Sequence, residues 1–222
     1  MKKIIVTILA VCLFAVALVG CKLGETANAD KYDTENYIGA ADISKEIEEF
    51  GITREELSAF TIEGDIASMN GDISADTIRQ VKKLIKDYPE VKTIKMIYVG
   101  GSIDDESNLI ASRLVREAGL NTYVAKDGHI ASGGTDFFCA GVKRTAEEGA
   151  KIGVHSWAGG DITNAALLPK DDENHKKYID YYKEMSMSDP EGFYFFTINA
   201  AVANDMYYMS MDELVKFGLV TE

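Results

Sequence analysis

The chain has 222 residues, 46% hydrophobic and 27% charged, with only 3 prolines. That is globular composition, which excludes a collagen-like, disordered or multi-span membrane protein and suggests one main domain. Its 23 basic against 36 acidic residues leave a net charge of -13, which gives no grip on a phosphate backbone, so no nucleic-acid partner is expected.

Taken in chain order, the sequence opens with an address. Met1-Lys2-Lys3 is basic, Ile4 to Val19 is almost wholly apolar, and the run stops at Leu18-Val19-Gly20-Cys21. A basic start, a short apolar core and small residues at the break describe a secretory signal over residues 1–20, too short for a lasting transmembrane helix. Leu-Val-Gly-Cys resembles a bacterial lipobox. The resemblance implies cleavage before Cys21 and acylation of that residue, hence an extracytoplasmic domain tethered to a bacterial membrane or envelope by lipid. Residues 21–42 are polar and poor in large aliphatics and read as a flexible tether, leaving 43–222 as the folded domain. Three cysteines, two of them (Cys12 and Cys21) in this leader region, make no disulfide framework; only Cys139 falls in the domain.

Within the domain, Ala59 to Glu63 alternates in polarity and predicts a strand ahead of Gly64. Ala75 to Tyr88 sets Ile78, Val81, Leu84 and Ile85 at helical spacing, with Pro89 beyond the end. Thr93 to Val99 reads as a strand, Asp104 to Ala118 as a helix stopped by Gly119, and Asn121 to Ala125 as a short strand. Gly133 to Lys143 can be helical, and Lys151 to His155 is a further strand. Glu173 to Met185 and Gly192 to Ala203 read as helices. Ser210-Met211-Asp212-Glu213 is a capping-box pattern opening a last helix that Gly218 closes. Alternating strands and helices imply an α/β fold with largely parallel pairing.

Three local patterns bear on chemistry. Tyr98-Val99-Gly100-Gly101-Ser102 ends a strand in paired glycines, which suit either a plain tight turn or N–H groups presented to an anion. Gly128-His129-Ile130-Ala131-Ser132-Gly133-Gly134 sets a serine at a helix start among small residues, as an N-cap or as a nucleophile with the Gly133 N–H beside it. Gly153-Val154-His155 ends an apolar strand in histidine. His129 is awkwardly close to Ser132 in sequence to serve it, and His175, in a charged segment, is expected to be solvated. No H-x-x-x-H, C-x-x-C, Walker loop or G-x-G-x-x-G pattern occurs, so no metal or cofactor is expected.

Read together, these features resemble the Clp peptidase branch of the Clp/crotonase superfamily. The matched stretches are Phe60-Thr61-Ile62-Glu63-Gly64, the Gly100-Gly101-Ser102 turn, the Gly-x-x-Ala-Ser turn at Gly128 to Ser132, and Phe137 to Arg144. Ile152-Gly153-Val154-His155 and Ser210-x-x-Glu213 leading to Gly218-Leu219 complete the order, so the resemblance spans Phe60 to Thr221. It implies a spiral of ββα units, Ser132 as nucleophile, His155 as general base, and the Gly101 and Gly133 N–H groups as oxyanion hole. It also implies an orienting aspartate just before the final segment. Asp205 stands there, one residue further from Gly218 than the family spacing, with Asn204 as an alternative acceptor.

The sequence departs from the family where Gly-Gly-Thr-Asp follows the serine, bringing Asp136 near the site. The axial loops of a ring protease are not recognisable either. Lys126 and Lys151 leave a Ser/Lys dyad as a neighbouring alternative. The expected function is a lipid-anchored serine hydrolase acting on a peptide or protein. The alternatives are a non-catalytic binding lipoprotein with the same fold and, less favoured outside the cytoplasm, an enzyme of acyl thioesters.

Overall fold

The first described strand lies inside the expected tether. The computed structural model describes residues 36–40, 48–49 and 51–221; the expected signal, Cys21 and the rest of the tether lie outside the described residues. Strand β1 (Tyr37–Ile38) pairs antiparallel with β2 (Ala59–Glu63), and Ile38 is only 1% exposed. The tether reading therefore fails at this point: Ile38 is apolar enough to be drawn into the core and takes its neighbours with it.

β2 turns at Gly64, whose φ of +58° favours glycine, into β3 (Ile66–Asn70), an antiparallel partner that the sequence reading did not include. Helix α1 (Thr77–Asp87) follows, with Val81 and Leu84 fully buried as the 3.6-residue spacing requires. β4 (Thr93–Val99) then runs parallel to β3 and buries Ile94, Met96 and Val99. Helix α2 (Asp105–Glu117) is capped by Asp104, whose carboxylate accepts the Ser107 N–H at 3.2 Å.

Beyond β4 the sheet forks. The first half of β4, Thr93 to Lys95, pairs with β5 (Asn121–Val124), and its end, Tyr98 and Val99, pairs with β6 (His129–Ala131). β5 is continued by β7 (Arg144–Ala146) and β6 by β8 (Lys151–Val154), all parallel. Helix α3 (Gly133–Cys139) packs against β5, β6 and β8, and its Phe137, Phe138 and Cys139 are fully buried. The chain is thus a mixed α/β fold of strand pairs and helices, as the alternation predicts, with a nine-stranded sheet among the described residues.

Two helices, α4 (Lys176–Glu184) and α5 (Pro190–Ala200), pack on each other, and α5 touches β8. β9 (Tyr207–Tyr208) then adds antiparallel to β8. In the last helix, α6 (Met211–Lys216), the capping box is present: Glu213 Oε2 accepts the Ser210 N–H at 2.8 Å, and Ser210 Oγ accepts the Glu213 N–H at 3.3 Å. The consequence for the site is register. β6 and β8 are neighbours with Ala131 opposite Gly153, so the residues leaving their ends emerge side by side.

Candidate active site

Ser132 leaves β6 and caps α3 with φ 52° and ψ -128°, a conformation sparsely populated by residues with a side chain and worth about 1–3 kcal/mol of strain. Several bonds hold it there. The Ser132 N–H donates to the Gly153 carbonyl at 3.0 Å, and the Thr135 hydroxyl donates to the same oxygen at 2.7 Å. Asn108 of α2 donates its amide to the Gly133 carbonyl at 2.8 Å. The two glycines after the serine are required by close approach. A Cβ on Gly133 would lie 2.3 Å from Ser102 Oγ, and one on Gly134 would lie 2.4 Å from the Val99 carbonyl oxygen.

His155 follows β8 and lies with Nε2 2.7 Å from Ser132 Oγ. Its Nδ1 is 3.0 Å from the carbonyl oxygen of Ala203. A carbonyl can only accept, so Nδ1 carries the proton and Nε2 is left as the acceptor for the serine hydroxyl. Burial lowers the His155 pKa from its ordinary value, against smaller upward pulls from the Ala203 carbonyl and the charge of Asp105. The imidazole is thereby neutral near pH 7, as a general base must be.

The expected acid is displaced from this arrangement. Asp205 is exposed and its Oδ1 accepts the N–H of Met206 at 2.8 Å, while the loop after α5 offers His155 a backbone carbonyl instead. The Asp205 N–H bond to the Val202 carbonyl, 3.0 Å, makes the turn that brings Ala203 to the ring.

Of the two expected oxyanion donors, Gly133 is the first residue of α3, where a backbone N–H has no intrahelical acceptor. Gly101 lies against the serine: a Cβ there would sit 3.4 Å from Ser132 Cβ and 3.7 Å from its Oγ. Its N–H and that of Gly100 face the carboxylate of Asp72, a residue the sequence reading missed. Burial raises the Asp72 pKa, those two N–H groups lower it, and its Oδ1 stays buried without a hydrogen-bond partner among the described residues.

The remaining candidates sit elsewhere. His129 stacks edge-on with Tyr98 and Tyr208 and shares a 2.8 Å hydrogen bond with the Tyr208 hydroxyl. His175 is buried rather than solvated, held by the Tyr194 hydroxyl at 2.7 Å and the Pro169 carbonyl at 3.0 Å. The charged residues around it misled because only alternate sides of that turn meet water. Lys126 and Lys151 are both exposed, and Ser132 Oγ is engaged by His155.

A narrow cleft of about 40 Å³, partly open to solvent, adjoins the Ser132–His155 pair. Asp105, Asp136, Trp157, Tyr178, Tyr182 and Tyr194 line it. A wider groove on the other face of α5, walled by Leu168, Phe195 and Ile198, contains neither Ser132 nor His155. Among the described residues no helix is long and apolar enough to cross a membrane, and no three His, Cys, Asp or Glu side chains gather as a metal-binding group.

No protein-family model matches this chain, and no curated protein matches it. Solved structures do resemble it. An enoyl-CoA hydratase/isomerase from Marinobacter aquaeolei aligns at 12% identity and a TM-score of 0.47, covering 74% of this chain and 69% of that one. An enoyl-CoA hydratase/carnithine racemase from Magnetospirillum magneticum aligns at 13% and 0.44, covering 74% and 66%. DspI from Pseudomonas aeruginosa aligns at 15% and 0.41, covering 73% and 66%. The chain spans about two thirds of the length of these structures.

Proposed function

We propose that this chain is a serine hydrolase of the Clp/crotonase superfamily that cleaves a peptide or protein substrate, with Ser132 as nucleophile and His155 as base. The observation that carries the reading is the 2.7 Å contact between Ser132 Oγ and a His155 Nε2 whose other nitrogen is bonded to a carbonyl oxygen. The strained backbone of Ser132 supports it, because such strain persists where the surroundings enforce a functional geometry.

In the reaction, Ser132 Oγ bonds to the substrate carbonyl carbon as its proton passes to His155 Nε2, and the carbonyl electron pair moves onto oxygen. The unengaged N–H of Gly133 is available to that oxyanion. Collapse breaks the bond to the leaving group, which takes the proton from His155. Water, deprotonated in turn by His155, then releases the acyl group and restores the serine. The lipid anchor at Cys21 and the extracytoplasmic location belong to the same proposal.

A neutral fluorophosphonate probe applied to the full-length chain tests it. Labelling at Ser132 that disappears in Ser132→Ala is the expected result; an unlabelled, folded protein points to a binding lipoprotein. Replacing Cys21 by Ser should block processing or release the chain from membranes, and unchanged fractionation would remove the anchor.

A further inference from the structure

The cleft beside Ser132 and His155 is walled by aromatic rings and floored by two carboxyl groups. Asp136 stands one helical turn beyond Ser132 on α3. The Tyr182 hydroxyl donates to its Oδ1 at 2.5 Å, and its second oxygen takes no hydrogen bond among the described residues. Asp105 enters from the first turn of α2, with the Ser102 hydroxyl on Oδ1 and the Tyr178 hydroxyl on Oδ2 at 2.6 Å. No lysine or arginine lines the cleft. Lys177, exposed on α4, has its ammonium 4.7 Å from the centre of the Tyr178 ring and lies outside that lining.

The walls are aromatic rings packed on one another with their polar tips occupied. Tyr178 and Tyr194 stack with centroids 5.6 Å apart and an interplanar angle of 10°, and Trp157 tilts against Tyr178 at 5.7 Å. The Trp157 N–H donates to the Tyr194 hydroxyl at 2.9 Å. His175 bonds the Pro169 carbonyl through Nε2, so its Nδ1 accepts the Tyr194 hydroxyl proton. That chain of bonds fixes the rings and leaves them no spare N–H or O–H proton to donate to a ligand.

We propose that this cleft is the specificity pocket of the site and takes the basic side chain, lysine or arginine, of the residue whose carbonyl Ser132 attacks. The inference rests on the hydrolase reading above. A side chain entering from Ser132 travels along the first turn of α3, about 6 Å to the level of Asp136, which is the reach of a lysine stem. Aromatic walls suit the methylenes of such a side chain, and the carboxyl groups suit the charge at its end. An apolar guest would seal two carboxyl groups away from water with no counter-charge, and an acidic guest would add a third. The present state of Asp136 agrees: burial and the charge of Asp105 push its pKa up to about 7, although Tyr182 pulls it down, so the carboxyl group lacks a cation as it stands.

Matched thioester substrates with lysine, arginine, norleucine or phenylalanine at the attacked residue, given to the full-length chain in detergent, test this. Lysine or arginine should exceed norleucine by at least about tenfold in kcat/KM, and Asp136→Asn should shrink that ratio. Norleucine or phenylalanine turning over as well as lysine would overturn the pocket while fluorophosphonate labelling of Ser132 left the hydrolase reading standing. If Ser132 proves unreactive, titration with p-aminobenzamidine reads the pocket without catalysis. Saturable binding that weakens in Asp136→Asn supports the inference, and absent binding overturns it. Should Asp136→Asn fail to fold, the wild-type ratio and the wild-type titration still decide.

Discussion

The carbonyl oxygen of Ala203 lies 3.0 Å from Nδ1 of His155, in the position where a carboxylate would complete a triad. A backbone carbonyl fixes the tautomer as firmly as an acid does, but it brings no full negative charge to stabilise the imidazolium of the proposed reaction. A carboxylate does act on the ring, that of Asp105, but its charge raises the His155 pKa only against a larger effect of burial.

Asp205→Ala is therefore expected to be nearly silent. Among the described residues its carboxylate is bonded only to the Met206 N–H at an exposed turn, and substitutions at such places change free energies by about 0.5 kcal/mol or less. The fluorophosphonate labelling rate of the variant, compared with wild type, checks this; a large fall would restore Asp205 to the mechanism.

The pH dependence follows from His155. Its pKa is lowered from 6.5, and the proposed base is the neutral form, so the labelling rate should rise with pH and reach half its plateau below pH 6.5. Protonation at lower pH abolishes the acceptor at Nε2 and with it the rate. His155→Gln should slow labelling by about 10²–10⁴ and remove that inflection.

Asp136 links stability to pH in the opposite sense from a salt-bridged acid. Its folded pKa of about 7 stands above the ordinary 3.8, so between roughly these values the folded chain holds a proton that the unfolded chain has released. Folding stability consequently falls as pH rises through this window. Asp136→Asn keeps an oxygen for the Tyr182 hydroxyl and should raise the melting temperature at pH 8 but not at pH 4, as thermal unfolding at the two pH values will report.

Gly133 admits no side chain. In Gly133→Ala the new Cβ would meet Ser102 Oγ at 2.3 Å and Ser102 Cβ at 2.6 Å, forcing the start of α3 away from the end of β4. The expected cost is about 1–3 kcal/mol in urea unfolding, accompanied by loss of Ser132 labelling. Unchanged labelling would mean that the serine tolerates a shifted helix.

Local chemistry in the sequence was sufficient to mark the long elements, whereas Ser132 and His155 stood out through the order of several motifs, each of which alone also fitted a structural role. Stripes such as Val81 and Leu84 state within a few residues which helix face is buried. Strands of two or three residues such as β1, β6, β7 and β9 carry too little pattern for any period to emerge, and they form because longer neighbours offer them edges. The contact between Ser132 and His155 was decided by the parallel register of β6 and β8. The acceptor on His155 belongs to a backbone atom, which has no residue type by which a sequence could announce it. Tyr178, Tyr182 and Tyr194 belong to helical stripes that look like ordinary core, and they became cleft walls only when α4 and α5 folded back over α3. Periodicity reports which face of a helix avoids water; only the packing of distant segments decides whether that face meets another core residue or a space that a ligand can enter.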